Sequence, residues 1–471
     1  MFFDFFFRIR KNPTGKRNEA GSYAFIRHND GRDFIVPISI ACGMSSLQGR
    51  RPTMEDAHTV KLDLLQGIRS EESGPPDVSP LAFFGVYDGH CGTQASTHAA
   101  ATLHRDLVLS PYFNEDVPRA FHDSFTRNDA EFLARAKRTK TMDGTTACCV
   151  LLRNDTLFAA NAGDSRAVLG RAGEAVDLSY DHKPDRDCER ARIEACGGVV
   201  HPTYVKISGQ GPVLAIGPAR VWPGGLALSR GLGDLMFKDP DLLLPNKVTE
   251  PLVSSVPEIT RVKLVPGRDR FVIVACDGLW DVLSSQSAVS FVEEKLPAAI
   301  REARRTVLSQ RHSTPYTMDS PEPGQPSFTA SVVRVLKALF GIPTRPVAPA
   351  MSTNNLLSSS APVDRVSTVG SDPERFADDD LTPVEMAQIE QAAATSVAQQ
   401  LAQAGYTFGS TDNITVLVVL LRWPDCPSPT LTGANTVAVV EADMPAAFPH
   451  STGDLLEAAH PLTDLDEIEV G

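Results

Sequence analysis

The chain has 471 residues, 42% of them hydrophobic, and a formal charge of −13, enough apolar material for one large core with insertions or for two to three domains. The charge is uneven: residues 431–471 hold eight Asp or Glu and no Lys or Arg, which leaves the rest at about −5 and gives no basic face for nucleic acid. No apolar stretch approaches the ~20 residues that span a bilayer, and eight cysteines without a Cys-x-x-Cys pair read as reduced core thiols of a cytoplasmic or nuclear chain.

Residues 1–37 read as an N-terminal extension, Phe-rich and then basic. Five aromatics before Arg8, Arg10, Lys11, Lys16 and Arg17 are too short a run for a signal peptide and lack preceding basic residues. Phe2 excludes N-myristoylation. A packing or disordered arm is expected, with peripheral membrane contact as the alternative. The ordered core begins near Ile38, and strand signals follow at Ala57–Leu62, Leu81–Tyr87, Thr145–Leu152, Thr156–Ala162, Arg166–Leu169 and Phe271–Cys276. Helical spacing marks Gly92–Leu109, Val117–Ala136 and Asp185–Cys196, the last stopped by Gly197-Gly198. Tight polar turns such as Arg153-Asn154-Asp155 favour antiparallel hairpins over a doubly wound parallel sheet.

A Pro/Ser/Thr/Asn-rich insertion over 305–380 is expected to be disordered, with a brief amphipathic segment at Ser331–Phe340. Thr382-Pro383-Val384-Glu385 has the form of a capping box opening a helix to about Ala404. A strand follows at Ile414–Leu421, and residues 423–471 read as an acidic, disordered tail. The globular part is thus expected over 38–422, as a monomer. Thr314-Pro315, Ser320-Pro321 and Thr382-Pro383 have the form of proline-directed phosphorylation sites.

Four apolar runs deliver an aspartate at one end. Leu81–Tyr87 leads into Asp88-Gly89-His90, Thr156–Gly163 into Asp164 and Phe271–Cys276 into Asp277, while Asp412-Asn413 precedes Ile414. Strand-end carboxylates can converge across long sequence distances, and an unpaired cluster of them is tolerable only around cations. Oxygen donors with few Cys or His select hard ions over zinc. A Cys-based phosphatase reading of His90-Cys91 fails because position 97 is Thr, and no nucleotide-binding glycine loop is present.

Further segments form an ordered series with these: Arg51-Pro52-Thr53-Met54-Glu55-Asp56-Ala57-His58, Asp143-Gly144-Thr145-Thr146, Gly163-Asp164-Ser165-Arg166, Asp181-His182-Lys183-Pro184, Leu228-Ser229-Arg230-Gly231-Leu232-Gly233-Asp234 and Asp277-Gly278-Leu279-Trp280-Asp281. The series, covering residues 38–300 and 383–422, closely resembles the metal-dependent protein phosphatases of the 2C type. The resemblance implies an α+β fold, a central sandwich of two antiparallel β-sheets flanked by helices on both sides in four α/β/β/α layers. It also implies a Ser/Thr phosphoprotein phosphatase acting on phosphoserine and phosphothreonine proteins with two Mn²⁺ or Mg²⁺ ions that activate a bridging water for direct attack on phosphorus.

By the same match, Asp88 bridges the ions, Glu55 and the Gly89 carbonyl hold one, Asp277 and Asp412 the other, and Asp164 a weaker third. Arg51 matches the phosphate-binding arginine, whose guanidinium forks onto two oxygens as lysine cannot. His90 matches the general acid that protonates the leaving alkoxide. Asp56 is counted with the metal set, a hydrogen-bond acceptor behind the ligands or a solvated strand-edge carboxylate being the alternatives. Thr146, Asn413, Asp234 and Asp281 are expected behind the ligands, with loop or helix capping as the competing account for the last two. His182 reads as turn chemistry before Pro184. The segment Gly211–Gly225 falls where the family carries a variable flap, an expected determinant of substrate choice. A phosphatase-fold scaffold that binds phosphoproteins without turnover is the alternative function. The 135 residues between Asp277 and Asp412 exceed the compact family arrangement.

Overall fold

The computed structural model describes residues 25–27, 33–35, 39–68, 80–206, 213–243, 248, 250–313, 381–423 and 441–443. In chain order these form β1 (Phe25–Arg27), β2 (Asp33–Ile35), β3 (Ser39–Leu47), β4 (Ala57–Lys61), β5 (Leu81–Tyr87), β6 (Gly89–His90), α1 (Gln94–Leu109) and α2 (Val117–Thr139). Next come β7 (Gly144–Thr145), β8 (Ala147–Arg153), β9 (Thr156–Ala162), β10 (Arg166–Arg171), β11 (Glu174–Asp177), α3 (Asp187–Ala195), β12 (Val199–Lys206), β13 (Val213–Trp222) and β14 (Leu232–Gly233). The chain continues through α4 (Pro240–Leu243), β15 (Glu258–Lys263), β16 (Asp269–Ala275), α5 (Asp277–Trp280), α6 (Ser285–Ser313), α7 (Pro383–Thr407), β17 (Ile414–Arg422) and β18 (Glu441–Asp443).

Two compact units divide the chain, residues 1–300 with 390–471 and residues 301–389. The first holds a five-stranded sheet ordered β11-β10-β16-β17-β3 and a six-stranded sheet ordered β18-β15-β9-β8-β5-β4, antiparallel throughout. Side chains alternate across a strand, and both faces of the central strands are covered, which is why they read as continuous apolar runs. Val272 and Val274 of β16, and Cys276 just after it, point between the sheets, where they meet Ala82, Phe84, Val86, Cys148 and Val150. Phe271, Ile273 and Ala275 point the other way, onto Val289, Val292, Val397 and Leu401 of the helical layer. Phe83 and Tyr87 of β5 face Leu103, Phe121 and Phe125 of α1 and α2. The four layers expected from the family resemblance are therefore present, with one apolar cluster at each of their three interfaces.

Element boundaries differ in instructive places. The strand signal at Thr145–Leu152 is two strands, because Thr146 interrupts the ladder to bond the backbone of Asp88. Helix α6 runs to Ser313, past the expected insertion boundary at 305. In the second unit the capping box is realised: Thr382 N–H donates to Glu385 Oε2 at 2.8 Å and Glu385 N–H to Thr382 Oγ1 at 3.3 Å. The aromatic arm before residue 25, the Ser331–Phe340 segment, Thr314-Pro315, Ser320-Pro321 and most of the acidic tail lie outside the described residues. Cys42, Cys148, Cys149 and Cys276 are buried free thiols, Cys196 is half-buried, and Cys91 and Cys188 are exposed. Among the described residues no helix is long and apolar enough to cross a membrane.

Helix α3 is tied to the segment entering β14 by Glu189. Its carboxylate is buried and accepts from Arg230 at 2.9 and 2.6 Å and from Arg192 at 3.3 and 3.0 Å. Burial alone would raise its pKa, but the two guanidinium groups outweigh that and hold it at about 2. A depressed carboxyl adds stability that is full above its ordinary range near 4.5 and is lost as pH falls toward 2. Glu189→Gln is expected to lower the denaturation midpoint at pH 7 and to flatten the stability profile between pH 4.5 and 2. An unchanged acid limb would contradict this account.

Candidate active site

Strand register decides what meets at one end of the sandwich. In the six-stranded sheet Ala57 lies opposite Tyr87, Val86 opposite Cys148 and Ala147 opposite Ala162. In the five-stranded sheet Arg166 lies opposite Ala275, Ala275 opposite Val416 and Ile414 opposite Leu47. Gly163-Asp164-Ser165 connects β9 to β10 across the two sheets, so both rims lie at the same end. The residues just outside these pairs are Glu55 and Asp56, Asp88, Asp164, Asp277, Asp412 and, one turn on, Arg51. Antiparallel pairing thus gathers sequence-distant carboxylates.

Two clusters result. Carboxylate oxygens of Asp88, Asp164 and Asp277 lie within 4.8 Å of one another, and those of Asp56 and Asp88 lie within the same distance of each other and of Cys276 Sγ. Burial, then Asp56, Asp277 and Asp164, push the Asp88 carboxyl well above its usual range. Burial, then Asp164 and Asp281, raise Asp277 to about 8. Asp56 rises to about 6, chiefly through burial, which the nearby Thr415 hydroxyl and Cys276 thiol offset only in part. Both Asp56 oxygens are buried without a properly oriented hydrogen-bond partner. Three carboxyls forced toward the neutral form, with orphaned oxygens among them, fit a site completed by hard cations.

Glu55 and Asp412 reach the rim but stand outside these tight clusters. Glu55 accepts from Thr53 Oγ1 at 3.0 Å and Gly92 N–H at 3.4 Å, and Asp412 accepts from Arg51. Asn413 holds this corner together. Its Oδ1 accepts from Glu55 N–H at 2.8 Å, and its Nδ2 donates to the carbonyls of Gln48 and Thr53 at 2.8 and 2.9 Å. The turn carrying Arg51 is thereby fastened to the turn carrying Asp412. A Cβ at Gly49, where φ is +64°, would lie 2.0 Å from the Asp412 carbonyl, so only glycine allows that approach. Arg51 itself is exposed and paired with Asp412.

A miniature sheet ordered β14-β7-β6 sets His90. Gly89 pairs with Thr145 and Gly144 with both His90 and Gly233, which brings Asp234 beside the imidazole. His90 Nε2 and Asp234 Oδ1 are 2.6 Å apart. A Cβ on Gly144 would fall 2.3 Å from the Asp234 carboxylate. Burial pushes the His90 pKa down, but Asp234 outweighs it and the net shift is upward. The Asp88 backbone is clamped separately, its N–H donating to Thr146 Oγ1 at 3.0 Å and its carbonyl accepting from Thr145 Oγ1 at 3.0 Å. Thr146 and Ser165 hydroxyls meet at 2.7 Å.

Sequence reasoning placed His182 in turn chemistry, but the ring is fully buried. It bonds Gly163 through Nδ1 and lies 3.0 Å from Glu258 through Nε2, so it fixes the loop bearing Asp164. Lys183 was not singled out, yet its ammonium pairs with Asp164. A lysine before proline carries no marker for a partner 19 residues away. Asp281 is exposed at the end of α5, with burial of its inner side and Asp164 raising its pKa against the pull of Lys183.

Residues 40–311, more than half of the chain, match the family model described as protein phosphatase 2C. The chain belongs to the protein phosphatase 2C family. It is similar to protein phosphatase 2C homolog 2 of Aspergillus fumigatus, 38% identical over 54% of this chain and 55% of that protein. It is also similar to a probable protein phosphatase 2C of Caenorhabditis elegans, 38% identical over 54% of this chain and 63% of that protein. The chain therefore spans less than two thirds of these relatives. A solved structure described as a serine-threonine phosphatase 2C from Toxoplasma gondii is 18% identical, with a TM-score of 0.47 over 85% of this chain and all of that one. The family match stops at 311, and Asp412 and Asn413, beyond it, are brought to the rim by the register of β17 and by the hydrogen bonds of Asn413.

If cations relieve the carboxylate repulsion, saturating Mn²⁺ adds about 2.7 kcal/mol at a hundredfold excess over its Kd. The melting midpoint should rise by several degrees with Mn²⁺, and Asp277→Ala should remove most of that gain. The same midpoint with and without the ion would contradict the assignment.

Proposed function

We propose that this chain is a metal-dependent protein serine/threonine phosphatase that hydrolyses phosphoserine and phosphothreonine monoesters. The observation carrying the reading is the gathering of Asp56, Asp88, Asp164 and Asp277 at one rim, with Asp412, Arg51 and His90 beside them. Asp88, Asp277 and Asp412, with Glu55, Asp56 and the Gly89 carbonyl, are the residues we assign to two Mn²⁺ or Mg²⁺ ions, and Asp164 to a weaker third. Bound divalent ions would supply electrophilic stabilisation of the phosphoryl oxygens and an acidified water.

The chain's own groups do the rest. Arg51, exposed and joined to the rim through Asp412, offers two parallel N–H donors to a phosphate and leaves its carboxylate partner when the anion arrives. His90 gives its proton to the departing seryl or threonyl oxygen, a poor leaving group as a free alkoxide. Asp234 holds the ring orientation and favours the protonated form. We assign the catalytic unit to residues 38–422, with the segments before and after as appendages.

Hydrolysis of a phosphothreonine peptide should require Mn²⁺ or Mg²⁺, stop with EDTA and fall by about 10²-fold or more in Asp277→Ala. Metal-independent turnover, or none with any metal, would overturn the proposal and leave a phosphoprotein-binding scaffold. His90→Ala should slow the phosphothreonine peptide by about 10²-fold or more while sparing nitrophenyl phosphate, whose leaving group needs no proton. Asp234→Asn should show the same selectivity in weaker form. Equal losses on both substrates would remove the general-acid role.

A further inference from the structure

Arg50 stands beside Arg51 in the turn that Asn413 fastens to the rim through the Gln48 and Thr53 carbonyls, at 2.8 and 2.9 Å. The two arginines reach the same stretch of chain. Arg51 pairs with Asp412, while the Arg50 guanidinium lies over the ring of Tyr406, 5.7 Å from its centroid. Tyr406 sits in the last turn of α7, on the segment that runs directly into Asp412. Stacking occupies the face of a guanidinium and leaves its edge N–H groups for an anion lying in its plane. Arg50 is exposed, and among the described residues no carboxylate pairs with it. Phe408, two residues beyond Tyr406, is 61% exposed. At the next position no other part of the described chain comes within 4 Å of where a Cβ on Gly409 would lie. An open shelf beside the arginine assigned to phosphate thus carries a seated guanidinium without a carboxylate of its own.

We propose that Arg50, seated on Tyr406, selects phosphopeptides that carry an acidic side chain within about three residues of the phosphorylated one. This rests on the phosphatase reading above and deepens it to a class of substrate. Neighbouring Cα atoms lie ~3.8 Å apart in enzyme and peptide alike, so adjacent arginines match two anions borne close together on one strand. A carboxylate takes two parallel N–H donors from the guanidinium edge. The aromatic seat restricts the arginine before substrate arrives, which lowers the ordering cost of that contact. The chain carries a formal charge of −13 and its rim is rich in carboxylates, so the general field gives an acidic flank no advantage. A preference for one therefore reports a local cation.

The test uses the full chain with Mn²⁺ and three phosphothreonine peptides that differ only in flanking residues, all Asp, all Asn or all Lys. Each kcat/KM is divided by that for nitrophenyl phosphate, which has no flank, so that a general loss of folding or metal cancels. Wild type should favour the Asp over the Asn peptide by about threefold, the scale of an exposed ion pair, and high salt should shrink that ratio. Arg50→Gln should bring it to about one, and Arg50→Glu should reverse the order so that the Lys peptide leads. Tyr406→Ala should weaken the preference and Tyr406→Phe keep it, since the ring and not the hydroxyl seats the guanidinium. A wild type without acidic preference, or a preference that persists in Arg50→Gln and Arg50→Glu, overturns the proposal and leaves the phosphatase reading standing. Wild type that hydrolyses none of the peptides with any metal overturns that reading and this proposal with it.

Discussion

Carboxylate repulsion at the rim of a dry sandwich is the constraint around which this molecule is organised. Burial and neighbouring carboxylates, Asp56 first for Asp88 and Asp164 first for Asp277, force these two groups toward the neutral form. Such an arrangement stores unfavourable energy that only cations or protons relieve. The apolar clusters on both faces of each sheet supply the stability that tolerates it. The frustration is confined to strand ends, where loops can adjust without disturbing the ladder.

Positive side chains already answer part of that repulsion. Arg51 lies on Asp412 and Lys183 on Asp164, so two of the rim carboxylates are met by protein cations. The two that rise furthest, Asp88 and Asp277, have no such guanidinium or ammonium in hydrogen-bond contact among the described residues. On the proposed reading this distribution separates the roles: carboxylates with protein partners exchange them for a ligand, while those without mark where a bound cation would sit. In the proposed phosphatase the exposed Arg51 is the group that trades a carboxylate for a phosphate, since its fork matches either anion.

Precision at the site comes from glycine and short pairings more than from bulk. Two-residue strands β6, β7 and β14 would be too small to persist alone, yet between the rim and α1 they set the distance between His90 and Asp234. Gly144 is the residue that makes room for that carboxylate. Asn413 plays the same part on the opposite side, with three hydrogen bonds spanning the turns of Arg51, Glu55 and Asp412.

Much of this was legible in the chain. The apolar runs of β5, β9, β16 and β17, the aspartates at their ends and the polar hairpin turn at Asn154 are local signals, because strand burial and turn chemistry act over a few residues. The oxygen-rich donor set, and so the preference for hard ions, also follows from residue types alone. Register, by contrast, was decided only by tertiary structure. It placed Asp412 at the rim across 135 residues, buried His182 against Gly163 and Glu258, set Lys183 on Asp164 and turned Cys276 toward Asp56 and Asp88. Those relations depend on which strands pair and on how two sheets stack. Both are set by packing between segments far apart in sequence, which no local pattern encodes.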